Sequence, residues 1–416
     1  ARQAKFLSKR AMKSPAGLPR FEALLGLIYA GCYLKNMEKF IEPATMALAD
    51  ECHHLLNNEE IVSSRNPQEV LNIFTILIWA KLALKDSNWN PSSTHLATIE
   101  KLAPILRSLR HSDAGLPRFH GSCGDVDGQL DQALSNAESR EISPIEKSVG
   151  FVKLSNSRTT IIIDAAPPPM GKKAVKADAS TLAFEMVSGQ RRIFTSCGPG
   201  YLFGSNLSSA SRQTSSHSVV YIDNQNSSQF SDKESWLKIP KKVIINGPRN
   251  VPKEISNDQG ICIFEGAHDG YVKSHGLTHV RKLKLAQDGQ TFEGEDLIIA
   301  IEDSHKRQFD KISKKTSRGS LSVKAAFHLH PDVTLRWDQK NHFISLALKN
   351  GEVWIFNYSS DFNLDLQPTV FFENDLFEPL ESQKLILSAD LLDYGTRINW
   401  SIARARDKDL SVGDLF

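Results

Sequence analysis

Three stretches carry side chains able to move protons or hold a metal. Ser215-Ser216-His217-Ser218 sets a histidine ahead of the β-rich run Val219-Val220-Tyr221-Ile222, with Arg212 upstream. Gly266-Ala267-His268-Asp269-Gly270-Tyr271 and Phe327-His328-Leu329-His330-Pro331 are the other two. Histidine titrates near neutrality and can share acid/base work with a tyrosine, and imidazoles from separate strands can bind a metal. Arginine suits a carboxylate because its planar fork donates two parallel hydrogen bonds. Histidine also sits half-buried in many proteins, so each of these has a purely structural reading.

Such residues need rigid elements around them. From Ala177 to Phe230 the sequence reads as strand segments broken at Ser188-Gly189, Gly198-Pro199-Gly200 and Asp223-Asn224. Side chains on alternate strand residues share a face, so matched polar groups on paired strands can converge on one site. After Pro144 the same β texture continues in short apolar runs, among them Thr159 to Ile163, Ile261 to Phe264, Leu297 to Ile301 and Phe343 to Leu348. The lysine-rich segment from Asp303 to Gly319 has no period and is expected to be a solvated loop.

Upstream the period is helical. Phe21, Leu24, Leu25, Ile28 and Cys32 recur at helical spacing, and Asn66-Pro67 opens a second helix because asparagine caps and proline suits a first turn. A third helix is expected from Ser93 to Arg110 and a short one from Gln129 to Ser139. Helices followed by strands alone predict segregated α+β domains, residues 1–143 helical and 144–416 an antiparallel β-sandwich. A chain of 416 residues exceeds the usual single core, which agrees.

The 50 basic and 48 acidic residues leave a net charge of +2, too small to argue for a nucleic-acid partner. No membrane span is expected, since the apolar run Phe74 to Leu84 is interrupted by Lys81. Five scattered cysteines without a CxxC argue against a disulfide framework or a cysteine zinc site. There is no GxGxxG, P-loop, HExxH or GxSxG in a strand-to-helix setting. The chain starts in a basic segment, Arg2 to Lys13, without Met or a signal-peptide pattern, as expected of a mature or truncated product.

Ordered blocks along nearly the whole chain resemble the heparinase II/III-like family of bacterial polysaccharide lyases, in particular an alphaproteobacterial branch. They are SPAGLPRFEALLGLIYAG, SSRNPQEVL, LRSLRHSDAGLPRFHG, IIIDAAPPP, STLAFEMVSGQRRI, TSSHSVVYID, AHDGYVKSHGLTHVRKLKL, FEGED and AFHLHPDV. The resemblance implies an N-terminally incomplete (α/α) toroid before a large antiparallel β-sandwich. It also implies β-elimination of an acidic, uronic-acid-containing polysaccharide such as a heparan-like glycosaminoglycan, in a cleft between the domains, and a bacterial periplasmic or cell-envelope location, although the sequence itself leaves the cytoplasm open.

Residue by residue, the resemblance assigns His217 as acid/base or metal ligand, His268 as second ligand, Tyr271 as proton carrier and Arg212 as carboxylate clamp. Zinc would be held by His217, His268 and Asp178. The chain departs from the family pattern at several points. Asp178 stands where a histidine is common, Thr195 or Ser196 where an acidic ligand is expected, Val62 where the helical part has a histidine, and His120 where asparagine is frequent. A zinc site wants three or four good ligands, so these departures favour a second reading, a non-catalytic glycan-binding or cell-envelope protein of the same fold. A glycoside hydrolase using Glu293 and Glu295 is the third reading; that Glu-Gly-Glu also suits a strand edge.

Overall fold

The computed structural model describes residues 2–57, 63–124, 128–137, 149–171, 175–231, 243–316 and 319–405. The chain divides into two compact units. Ala1–Arg110, Ala114–Leu116 and Gly124–Val149 form one; His111–Asp113, Pro117–Cys123 and Gly150–Phe416 form the other. The boundary expected at 143/144 and the position of Val62 lie outside the described residues.

The first unit is helical: α1 (Arg2–Arg10), α2 (Leu18–Tyr33), α3 (Ile41–Asn57), α4 (Pro67–Asp86), α5 (Ser93–Leu109) and α6 (Gln129–Ser135). Asn66 Oδ1 accepts hydrogen bonds from the backbone of Gln68 (2.9 Å) and Glu69 (3.2 Å), satisfying donors that the first turn leaves open. Ser92 Oγ does the same for His95 N at 3.2 Å. Val70, Phe74, Leu77 and Ile78 of α4 are buried, and the helix packs against α2 and α5. Among the described residues α4 alone is long and apolar enough to cross a membrane, but it is mostly buried as the core of this unit, Lys81 included. The basic residues of α1 gave no apolar period from which to expect a helix.

The second unit begins with β1 (Phe151–Asn156), β2 (Thr159–Asp164), β3 (Phe184–Ser188) and β4 (Arg191–Phe194), a four-stranded sheet in that order. Helix α7 (Ser205–Ala210), β5 (Val220–Ile222) and the two-stranded ribbon of β6 (Gln229–Phe230) and β7 (Ile244–Asn246) follow. Next come β8 (Lys253–Asp258), β9 (Ile261–Tyr271), α8 (Val272–His275), β10 (Leu277–Leu285), β11 (Thr291–Ile299) and α9 (Asp303–Ser313). The chain continues through β12 (Leu321–His328), β13 (Thr334–Asp338), β14 (Phe343–Ala347), β15 (Val353–Tyr358), β16 (Asn363–Phe371), β17 (Leu380–Leu391) and β18 (Gly395–Arg404). An eight-stranded sheet runs β13-β14-β15-β18-β11-β10-β9-β8 and a second four-stranded sheet β16-β17-β12-β5; every strand pair is antiparallel.

The three larger sheets meet at an aromatic cluster. Phe184 stacks on Trp400 at 5.5 Å, Trp400 meets Phe327 edge-on at 4.8 Å, and Phe327 meets Phe356 at 5.0 Å. Gly294 lies opposite Trp400 in the register, and a Cβ there would collide with the indole, so the close packing requires glycine. All four rings are buried; fully burying one contributes about 1.5–3 kcal/mol.

The segment expected as a loop after Asp303 is instead helical in α9. His305 Nδ1 accepts from Glu302 N (3.5 Å) at its start, and Phe309 is buried with its ring 5.7 Å from Tyr394. One apolar anchor amid good helix formers suffices there, which is too little for a periodicity reading.

Candidate functional site

His217 ends the short turn Thr214–Ser216 just before β5 and is 1% exposed. Its Nδ1 is 3.1 Å from Ser196 Oγ, while its Nε2 is buried without a hydrogen-bond partner. Ser196 is held in place by its own N–H, which donates to the buried Glu185 Oε1 at 3.0 Å. Burial, then the neighbouring His328 and His120, lowers the His217 pKa to about 3, so the ring is neutral at physiological pH.

Around it lies a carboxylate pair. Asp178 Oδ2 accepts from His120 N (2.5 Å), and Asp178 N donates to His120 Nδ1 (3.2 Å). That pattern places the His120 ring proton on Nε2, which sits 3.2 Å from Asp164 Oδ2. Ser180 Oγ donates to the same Asp164 oxygen at 2.7 Å. Burial pushes the Asp178 carboxyl up to about 6, against the pull of His120 and Arg212. His120 and Asp164 were not among the expected site residues. Asp164 closes the all-buried strand β2, where it passes for a strand end.

Arg212 is near Asp178 and donates from Nε to Ala177 O at 2.7 Å, while its backbone carbonyl accepts from Ala179 N at 2.9 Å. Its guanidinium lies 4.9 Å over the Phe230 ring and borders a cavity of about 620 Å³. Asp178, Arg212 and His217 are therefore neighbours around His120 and Asp164.

His268 and Tyr271, expected beside them, have other partners. In the register of β9 and β10, His268 pairs with His279, and in that of β10 and β11 Arg281 pairs with Asp296. Gly270 N–H donates to His268 Nδ1 (3.1 Å), His268 Nε2–H to His279 Nδ1 (3.2 Å) and His279 Nε2–H to Asp296 Oδ1 (2.8 Å). Arg281 grips both Asp296 oxygens at 2.7 and 2.9 Å, and Trp400 Nε1 adds a donor at 3.2 Å. Burial alone would raise the Asp296 carboxyl, but Arg281 and His279 hold it well below the usual range; burial and His279 depress His268. Tyr271 is fully buried, donates to Val220 O at 3.1 Å, and has its pKa raised by that burial. Sequence reasoning missed this network; the alternation of His279 and Arg281 in THVRK and the acidic FEGED block are its only trace in the sequence, and their pairing is set by strand register.

The residues present do not fit zinc. His217 keeps Nε2 open with Nδ1 on the Ser196 hydroxyl, as a ligand would, but Thr195 or Ser196 stands where the resemblance expects a carboxylate, and a neutral hydroxyl is not among zinc's usual protein ligands. Among the described residues no three His, Cys, Asp or Glu side chains are placed to hold a metal, and His268 is committed to its own hydrogen-bond chain.

A helical unit joined to large antiparallel sheets of this arrangement defines a polysaccharide lyase-like protein. The chain belongs to the heparinase II/III-like family: residues 144–401 match its description "Heparinase II/III-like, C-terminal". Over 385 residues, 90% of this chain, it is 26% identical to FtsZ-localized protein C of Caulobacter vibrioides, a relative that accords with an alphaproteobacterial branch. A heparinase III structure superposes with a TM-score of 0.70 at 13% identity over 98% of this chain, and heparan sulfate lyase HepC from Pedobacter heparinus with 0.68 at 14% over 98%. The chain spans 64% of the Caulobacter protein, 61% of the first structure and 63% of the second. At such identities the structures speak for the fold.

Proposed function

We propose that this protein binds acidic glycan without cleaving it, as a lyase-like protein of the bacterial cell envelope. The observation that carries this reading is the hydroxyl pair Thr195-Ser196, with Ser196 Oγ 3.1 Å from His217 Nδ1, in the stretch where the resemblance expects a charged ligand. Elimination needs the substrate carboxylate neutralised, a base for the C5 proton and an acid for the leaving oxygen. Tyr271 is ill placed to carry that proton, since it is buried with its hydroxyl on Val220 O. A relative named as FtsZ-localized, and not as a lyase, supports a role other than glycan digestion. The test is to incubate the protein with a panel of uronic-acid glycans, following binding and the ultraviolet absorbance of unsaturated product together. Binding without product is expected, with well under one zinc per chain by elemental analysis; turnover of any glycan would sink the proposal.

A second reading, β-elimination of a uronic-acid glycan, is favoured by Arg212 and Lys273, which both line the cavity and are cations suited to a carboxylate. Unsaturated product that is lost in Arg212→Gln would establish it.

A further inference from the structure

The 620 Å³ cavity lies within the β unit, between the chain around α7, the β5–β6 connection, the β6–β7 ribbon and the start of α8. Its volume falls in the range of about 300–1,000 Å³ typical of small-ligand sites. Its lining has an unusual chemistry. Ten of the side chains are amides or hydroxyls, the two charged ones are Arg212 and Lys273, and no carboxylate lines it among the described residues. Phe230 supplies an aromatic edge, backed by the Arg212 guanidinium.

An independent feature points to a ligand. Ser228 is 3% exposed and lines the cavity, yet its Oγ has no hydrogen-bond partner. A buried polar group left unpaired costs about 1–3 kcal/mol, so native structures seldom keep one without an occasional partner. Gly247 opens the space in front of it: a Cβ at 247 would come within 2.6 Å of that oxygen.

We infer that this cavity binds a short saccharide bearing a carboxylate or sulfate. Amides and hydroxyls offer donors and acceptors in the mixture that vicinal sugar hydroxyls require, Phe230 gives an apolar edge for a ring face, and the two cations select an anionic substituent. The assignment rests on the glycan-binding reading and goes further. It puts recognition at Arg212, Ser228 and Lys273, on the open cavity, and not on the buried ring of His217.

The test is calorimetric titration of the full chain with three size-defined tetrasaccharides: one carrying only uronate carboxylates, one sulfated and one uncharged. Either anionic sugar, or both, is expected to bind at least ten-fold more tightly than the uncharged one, and the comparison of the two identifies the anion. Lys273 is exposed, so Lys273→Gln leaves the fold intact and is expected to weaken binding about five-fold. Ser228→Ala is expected to weaken it about five-fold as well. Lys282→Gln, which removes the same charge from the face of β10, is expected to leave affinity unchanged. If anionic sugars bind but Lys273→Gln and Ser228→Ala behave like Lys282→Gln, the cavity assignment is overturned while the glycan-binding reading stands. If no sugar binds, both fall.

Discussion

Two buried histidine clusters sit in the same β unit, and they differ in completeness. In the His268–His279–Asp296–Arg281 network each imidazole nitrogen has a partner, and the carboxylate is met by donors on both oxygens. Around His217 one nitrogen has no partner, the other rests on a serine, and the nearby Asp178 is pushed up to about 6. A finished network in low dielectric locks a fold, whereas an unfinished one carries the cost of its unpaired buried group. The comparison separates a completed cluster from an incomplete one without reference to activity.

The contrast breaks most visibly at Asp296. Asp296→Ala leaves Arg281, which is fully buried, without its counter-charge and is expected to cost about 3–5 kcal/mol in urea denaturation. A loss under 1 kcal/mol would show that the finished network is no more structural than the other.

Asp178 should behave in the opposite sense. Its pKa rises from 3.8 to about 6 on folding, so the folded chain holds this proton more tightly, and stability is greatest below 3.8 and falls as pH rises through 6. His217 and His328 are lowered from 6.5 to about 3, so their stability is complete above 6.5 and is lost as pH falls toward 3. Asp178→Asn removes only the first trend. Relative to the parent, the variant is expected to be nearly equal at about pH 3 and more stable by roughly 3 kcal/mol above pH 7, read from denaturation curves across that range. A difference independent of pH would contradict the raised carboxyl.

Restoring ligands sharpens the comparison. The double variant Asp178→His with Ser196→Asp, beside His217, is expected to take up about one zinc, and zinc at about 100 times its Kd should add about 2.7 kcal/mol. The parent chain should gain nothing, and equal thermal shifts in both proteins would refute the account of the lost site. The smallest effect separates the two histidines directly: His217→Ala is expected to be less destabilising than His268→Ala by about 1–2 kcal/mol, because the latter orphans both Gly270 N–H and His279 Nδ1. The same denaturation experiment at pH 7 reads it.

Local chemistry made much of this legible. The Asn66 cap, the helix start at Ser93 and the turn at Gly189 are decided by short-range hydrogen bonds and backbone freedom, and they stand where the residues placed them. The resemblance narrowed the expected acidic ligand to Thr195 or Ser196, and the contact with His217 came only from the structure. The company of His268 was not. His268, His279 and Asp296 come together only through the registers of three strands, and a register is set by which faces are buried across the whole sheet.

By itself the sequence determined the α+β order, the starts of α4 and α5 and the family, since each depends on residues close together or on an ordered series of blocks. Tertiary structure alone decided that Tyr271 is buried on Val220 O, that α9 is a helix with one anchor, and that His120 and Asp164 face Asp178. Burial and cross-strand pairing join residues far apart in the chain, and the pKa, tautomer and accessibility of a side chain follow from those neighbours.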